Sequence, residues 1–151
     1  MFSKDYSIVV PFYNEEENIR PMLERVSKVM DDLSENYEII AIDDGSSDTT
    51  FSKLVEGKER YPKLKIIKFR RNFGQTQAMQ AGIDHACGEF IITMDGDLQN
   101  DPADIPKLLE KMNAVDPRES KSAATKNVAI RAMNRTNTNL GLRPLKHTAS
   151  T

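Results

Sequence analysis

Four short runs rich in β-branched and aromatic residues recur along the chain, and each is followed by a stretch with helical spacing. The runs are Tyr6–Phe12, Tyr37–Asp43, Leu64–Phe69 and Glu89–Asp95. Each reads as a strand. Ile19, Met22, Leu23, Val26, Val29, Met30 and Leu33 repeat at steps of three and four, so one amphipathic helix follows the first strand. Pro21 is tolerated if that helix opens near Glu17, because its ring then sits in the first turn. Phe51, Leu54 and Val55 predict a second helix behind the capping pair Ser47 and Asp48. Met79, Ile83 and Ala86 predict a third. Asp101 as a cap and Pro102 at the first helical position open a fourth, through Ile105, Leu108, Leu109 and Met112. The order βαβαβαβα implies an α/β fold: a Rossmann-like, mainly parallel sheet with right-handed crossovers and flanking helices.

A chain of 151 residues suits one ordinary domain, and 38% hydrophobic with 29% charged residues permits a packed core. Past Asn113 no strand is expected, and the polar stretches Ser120–Thr125 and Asn134–Asn139 predict disorder with a frayed helix near Asn127 to Met133. Charge divides at Pro117. Residues 1–117 hold 14 basic and 22 acidic side chains, net −8, whereas residues 118–151 hold 7 basic and 1 acidic, net +6. The expected organisation is therefore a globular unit over 1–117 and a basic, disordered tail over 118–151. No apolar run approaches the roughly 18 to 20 residues of a membrane span, and Met1–Tyr6 lacks a signal-peptide core, which places the chain on the cytoplasmic side.

The one cysteine, Cys87, and two distant histidines, His85 and His147, exclude a clustered-thiol or histidine-rich zinc site. The Asp95–Asp101 stretch fails as an EF-hand loop, with Asn100 where glycine is wanted and Pro106 where the bidentate glutamate belongs. No dinucleotide-binding or P-loop glycine pattern follows any strand.

In an open parallel sheet, ligands bind beyond the carboxyl ends of the strands. Those ends read Pro11-Phe-Tyr-Asn-Glu-Glu, Asp43-Asp-Gly-Ser-Ser-Asp48, Arg70-Arg-Asn-Phe-Gly-Gln75 and Asp95-Gly-Asp-Leu-Gln99. Asp95 and Asp97, at i and i+2 around a glycine, point the same way in extended backbone. That supplies the one or two carboxylates with which Mg2+ or Mn2+ is held beside substrate phosphates. An isolated Asp-x-Asp more often only solvates a loop and caps the next helix. In the second turn, Gly45 with Ser47 or Asp48 explains a helix cap, but capping does not use Asp43 and Asp44. Carboxylates there suit hydrogen bonds from a ribose or base edge. Glu15, with Glu16 and Glu17, suits either a helix N-terminus or ligand contact.

Taken together, Pro11-Phe-Tyr-Asn-Glu15, Asp43-Asp-Gly-Ser-Ser-Asp48 and Asp95-Gly-Asp97 resemble the nucleotide-sugar half of family 2 glycosyltransferases with the A-type fold. Arg71–Gln75, Ala81–Gly88 and Met94–Gln99 resemble the polyprenyl-phosphate branch, which contains dolichol-phosphate mannosyltransferases and undecaprenyl-phosphate glycosyltransferases. The resemblance covers roughly residues 5 to 112. It implies transfer of a sugar from a UDP- or GDP-linked donor to a polyprenyl phosphate, with inversion, assisted by Mg2+ or Mn2+; no nucleic-acid partner is expected. It also implies that Pro11, Tyr13 and Glu15 line the nucleoside pocket, that Asp43 lies near the base or ribose, and that Asp44 supports that turn. Asp95 would face the ribose or sugar, Asp97 would bind the metal with Gln99 as a further ligand, and Arg71 would face the phosphates, with Arg70 an equal candidate.

Family members of this branch continue with an acceptor-binding region and membrane-associated segments. The change after about Ala114 therefore reads as a fragment, a truncated product or a changed reading frame that lacks the acceptor half. A binding-only nucleotide module is the alternative. A Mg2+-dependent phosphoacceptor signalling domain is a third reading, but such domains place their acid pair on the first strand, whereas a full strand and helix precede Asp43.

Overall fold

The computed structural model describes residues 3–34, 36–98, 101–114 and 129–131. The elements are β1 (Lys4–Phe12), α1 (Ile19–Leu33), β2 (Tyr37–Asp43), α2 (Thr50–Arg60), β3 (Leu64–Lys68), α3 (Gln75–His85), β4 (Gly88–Thr93), α4 (Ile105–Ala114) and β5 (Ala129–Arg131). A 3₁₀ turn, Pro102–Asp104, leads into α4, and its Asp101 cap accepts from Ala103 N at 3.0 Å. The sheet order is β3-β2-β1-β4-β5, with the first four strands parallel and β5 antiparallel to β4.

Period-two alternation sends successive side chains of each strand to opposite faces. Ile8, Val10, Phe12, Ile39 and Ala41 pack with α1, α2 and α4 through Ile19, Leu23, Val26, Met30, Leu54, Ile105 and Leu109. Val9, Ile40, Ile42 and Ile91 pack on the other face with Ala78 and Ile83 of α3 and with Ala86 just past it. Gly82 lets α3 approach closely, since a Cβ there would lie 2.3 Å from Val9 Cγ1.

This winding fixes where a ligand can bind. The chain runs outward from β1 through β2 to β3 along one face, then α3 carries it back across the opposite face to β4 on the far side of β1. The direction of winding reverses between β1 and β4, and there the connections diverge and leave a crevice at the carboxyl ends of the strands.

Three expectations shift. The first helix opens at Ile19 instead of Glu17, still with Pro21 in its first turn. Val55 is exposed, so α2 rests on the sheet chiefly through Leu54. A fifth strand exists where none was expected: Ala129–Arg131 pairs with Phe90–Ile92, replacing the frayed helix there. The exposed edge of β4 provides the hydrogen-bonding template, so three residues suffice without a strand-like run. The remainder of the predicted tail and the boundary at Pro117 lie outside the described residues. Among the described residues no helix is long and apolar enough to cross a membrane.

Candidate functional site

An open cleft of about 580 Å³ occupies the switch point, lined by Pro11, Phe12, Tyr13 and Glu15 after β1, and by Asp95, Gly96 and Asp97 after β4; Asp44, Asn72, Gly74 and Gln75 complete it. Of the residues singled out from sequence, Pro11, Tyr13, Glu15, Asp44, Asp95 and Asp97 thus meet around one cavity. Gln99 lies outside the described residues.

The wall after β1 is stitched to the turn after β2. Asn14, at φ 50°, donates its N–H to Ser46 Oγ at 2.9 Å and accepts from Ser47 N at 2.8 Å through Oδ1. Glu15 N donates to Thr50 Oγ1 at 3.0 Å, and Glu15 Oε2 accepts from Asn18 Nδ2 at 2.6 Å. Glu16 accepts from Thr49 Oγ1 at 2.5 Å and Thr49 N at 3.0 Å, and these donors hold its carboxyl below the usual range. Burial works to raise the Asp48 carboxyl, but donors from Thr50 and from Glu16 N outweigh it and the net shift is downward. Of the three successive glutamates, Glu16 is therefore a buckle between two turns, while Glu15 faces the cleft.

Asp43 and Asp44 are both buried. Asp44 is fully engaged: Oδ1 accepts from Phe73 N at 2.8 Å, and Oδ2 accepts from Gly74 N and Asn72 Nδ2, each at 3.1 Å. Asp43 is not. Its Oδ1 accepts from Ser46 N at 3.0 Å, but Oδ2 meets no hydrogen-bond partner among the described residues. Asp43 does not line the cleft itself; its ladder partner Phe12 and its successor Asp44 do, so it stands one residue behind the wall.

Gly96 is required by packing. A Cβ there would lie 2.6 Å from both Pro11 O and Phe12 Cδ1, so the Asp95–Asp97 turn presses against the end of β1. Asp95 Oδ1 accepts from Gln75 Nε2 at 2.7 Å. Arg71 is not among the lining residues: its guanidinium stacks 4.1 Å over the Phe73 ring, and Arg70 is likewise exposed outside the cleft. Asn72, Gly74 and Gln75 line the cleft although sequence reasoning gave them no role. Their position just after β3, at the same sheet edge as the acids, was the available signal.

Among the described residues no group of three or more His, Cys, Asp or Glu side chains is placed to hold a metal. Asp95 and Asp97 share the cleft wall. That donor set suits Mg2+ or Mn2+, which take one or two carboxylates and complete their shell with water and substrate phosphate, and it does not suit a metal caged by protein alone.

Residues 7–118 match the family described as "Glycosyl transferase family 2". The chain belongs to that family. Dodecaprenyl-phosphate galacturonate synthase of Rhizobium johnstonii is 48% identical over 112 residues, in line with the polyprenyl-phosphate branch that the motifs resemble. That match covers 73% of this chain and 33% of the relative, so this family 2 chain spans about a third of the relative's length. The mannosyltransferase PcManGT of Pyrobaculum calidifontis, solved with GDP-Man and Mn2+, superposes with a TM-score of 0.57 at 25% identity, over 64% of this chain and 28% of that one. Glucosyl-3-phosphoglycerate synthase of Mycobacterium tuberculosis shares the fold, with a TM-score of 0.61 at 20% identity over 76% and 41% of the two chains. The α/β sheet of this family 2 chain is the A-type glycosyltransferase architecture expected from its motifs.

Proposed function

We propose that the cleft binds a nucleoside diphosphate sugar with Mg2+ or Mn2+, and that this chain is the donor half of an enzyme that transfers the sugar, with inversion, to a polyprenyl phosphate. The observation that carries this reading is the meeting of Tyr13 and Glu15 with Asp95 and Asp97 in one cleft at the switch point of the sheet. The relative named for a dodecaprenyl-phosphate product supports the acceptor class, and the neighbour solved with GDP-Man and Mn2+ supports the donor class and the cation.

In this reading Pro11, Tyr13 and Glu15 receive the nucleoside, and a base or ribose donor fills the open acceptor of Asp43. Asp43 has no exposed surface, so that donor reaches it only as the turn over it gives way. Asp44 holds the loop after β3 in place. Asp95 takes the ribose or sugar hydroxyls. Asp97 is the carboxylate that holds the cation, with Gln99 as a further ligand. Arg71 turns from the Phe73 ring to the phosphates; the neighbouring Arg70 is the other guanidinium within the same loop. The chemistry a bound Mg2+ or Mn2+ supplies is positive charge at the departing diphosphate. A lipid phosphate is already largely anionic near neutral pH, since the second pKa of a phosphate monoester is about 6, so the protein needs to orient the acceptor more than deprotonate it.

Thermal shift with UDP and GDP, each with Mn2+ or with EDTA, tests the reading. A nucleotide at a hundredfold excess over its Kd should raise the melting temperature by about 5 °C or more. Asp97→Asn should remove the Mn2+-dependent part of that rise and leave the unliganded melting temperature unchanged. No shift with either nucleotide would contradict the reading, and sugar transfer from a labelled donor to a polyprenyl phosphate would establish the acceptor.

A further inference from the structure

The two acidic strand ends do not touch each other, because β1 lies between β2 and β4. A loop from a third strand joins them. Asp44, after β2, takes Phe73 N, Gly74 N and the Asn72 amide on its carboxylate. The next residue, Gln75, opens α3 and gives its side-chain N–H to Asp95 Oδ1, after β4. Gly74 makes the reversal at φ 104°, a conformation strained for any residue with a Cβ, and nothing within 4 Å would otherwise exclude a side chain there. Both anchors are hydrogen bonds to carboxylates, roughly twice as strong as neutral ones.

We infer that residues 72–75 form a strut that fixes Asp95 relative to the nucleoside side of the cleft, and that Gln75 is a positioning residue for the metal and diphosphate end. The inference rests on reading the cleft as a nucleoside diphosphate site. An amide suits the task because it orients the Asp95 carboxylate without cancelling its charge, which an arginine or lysine in its place would do. Because the strut is anchored on acids at both ends, ordering one end orders the other. Nucleotide and metal then tighten each other's binding by the same factor. With no cage of three or more such ligands among the described residues, a bound Mg2+ or Mn2+ would take its remaining ligands from water and the nucleotide, which would add to that coupling.

The test is calorimetric titration of the full chain and of Gln75→Met, which keeps the length of the side chain and removes its N–H donor, with Gln75→Ala as a second variant. Mn2+ is titrated in saturating UDP or GDP, whichever binds, and nucleotide affinity is measured separately in EDTA. Both variants should bind Mn2+ about tenfold more weakly, because the turn that Gln75 anchors through Asp95 also carries Asp97, the carboxylate assigned to the cation, and losing a group that orients a metal ligand costs about that much. Nucleotide affinity in EDTA and the unliganded melting temperature should stay unchanged. Wild-type Mn2+ affinity in both variants overturns the inference, as does an equal loss of nucleotide affinity with and without metal, which would mark Gln75 as general packing. If the parent chain binds no nucleotide, the functional reading falls, and this inference falls with it.

Discussion

Strand β2 buries a carboxylate near each end, and the two are treated oppositely. Glu38, near the amino end, is 1% exposed. Its Oε1 accepts from Ser7 Oγ and from Cys87 N, both at 2.6 Å. Its Oε2, although it lacks hydrogen-bond geometry to any described group, is ion-paired with Lys65 Nζ at 2.6 Å, whereas Asp43 Oδ2 has neither among the described residues. Ser7 Oγ accepts in turn from Gly88 N at 2.7 Å, so this one acid ties β1, β2, β3 and β4 together. Asp43, at the carboxyl end, is 0% exposed and receives one donor, Ser46 N. An unfilled buried acceptor costs about 1 to 3 kcal/mol. Burial alone therefore does not separate a structural acid from a functional one; the partners that balance its charge do, two donors and an ammonium for Glu38 against one donor for Asp43.

The largest expected effect is at the filled end. Glu38→Ala leaves the Ser7 hydroxyl, the Cys87 N–H and the Lys65 ammonium without their shared partner, and should lower unfolding free energy by about 3 to 5 kcal/mol. Asp43→Ala should change it by less than about 1 kcal/mol, because little native bonding is lost. Denaturant unfolding of both variants measures the contrast, and equal losses would break it.

Two glycines, one opening β4 and one in the turn after it, sharpen the same comparison. A Cβ on Gly88 would lie 2.5 Å from Ser7 N, and one on Gly96 would lie 2.6 Å from Pro11 O. Gly88→Ala and Gly96→Ala should each cost about 1 to 3 kcal/mol of stability through overpacking. Only Gly96→Ala should also weaken nucleotide binding with Mn2+, because it displaces Asp95 and Asp97. A parallel loss in Gly88→Ala would show that the sheet, and not its carboxyl edge, governs binding.

Acid titration gives the smallest effect. Burial works to raise the Glu38 carboxyl, but the Lys65 ammonium and hydrogen bonds from Ser7 and Cys87 N outweigh it and bring it below the ordinary value of 4.5. A lowered folded-state pKa contributes stability above the unfolded value, and that contribution is lost as pH falls through the folded value. The parent should therefore lose stability below about pH 4.5, and Glu38→Gln should show a shallower loss. Asp48 shifts the same way and keeps the slope from vanishing. Parallel pH curves for parent and variant would remove Glu38 from this role.

The contrast also explains what could be read from sequence. Tyr37–Asp43 is legible as a strand because the apolar run Ile39–Ile42 suits a fully buried parallel strand, and the acids that follow it contrast with that run. Asp95 and Asp97 stood out by their spacing. The role of Glu38 is not legible in the sequence, because its partners Ser7, Lys65 and Cys87 are distant along the chain. Gln75 was hidden for the same reason, since its hydrogen bond to Asp95 exists only once α3 crosses the sheet. The sequence shows Gly96 only as the residue between two acids; that a Cβ there would meet Pro11 O and the Phe12 ring depends on how the turn lies against β1. Arg71 matched the family by position, but its stacking on Phe73 depends on a loop geometry that no local pattern encodes.

The most direct test is the affinity of Asp43→Ala for UDP and GDP, measured by calorimetry in EDTA beside the parent chain. The metal-free condition isolates the nucleoside end of the cleft from Asp97. If a nucleoside donor fills the open acceptor of Asp43, the variant should lose about 1.5 to 3 kcal/mol of binding, or roughly 10- to 150-fold in Kd, while melting like the parent. Parent-like affinity in the variant would contradict the account.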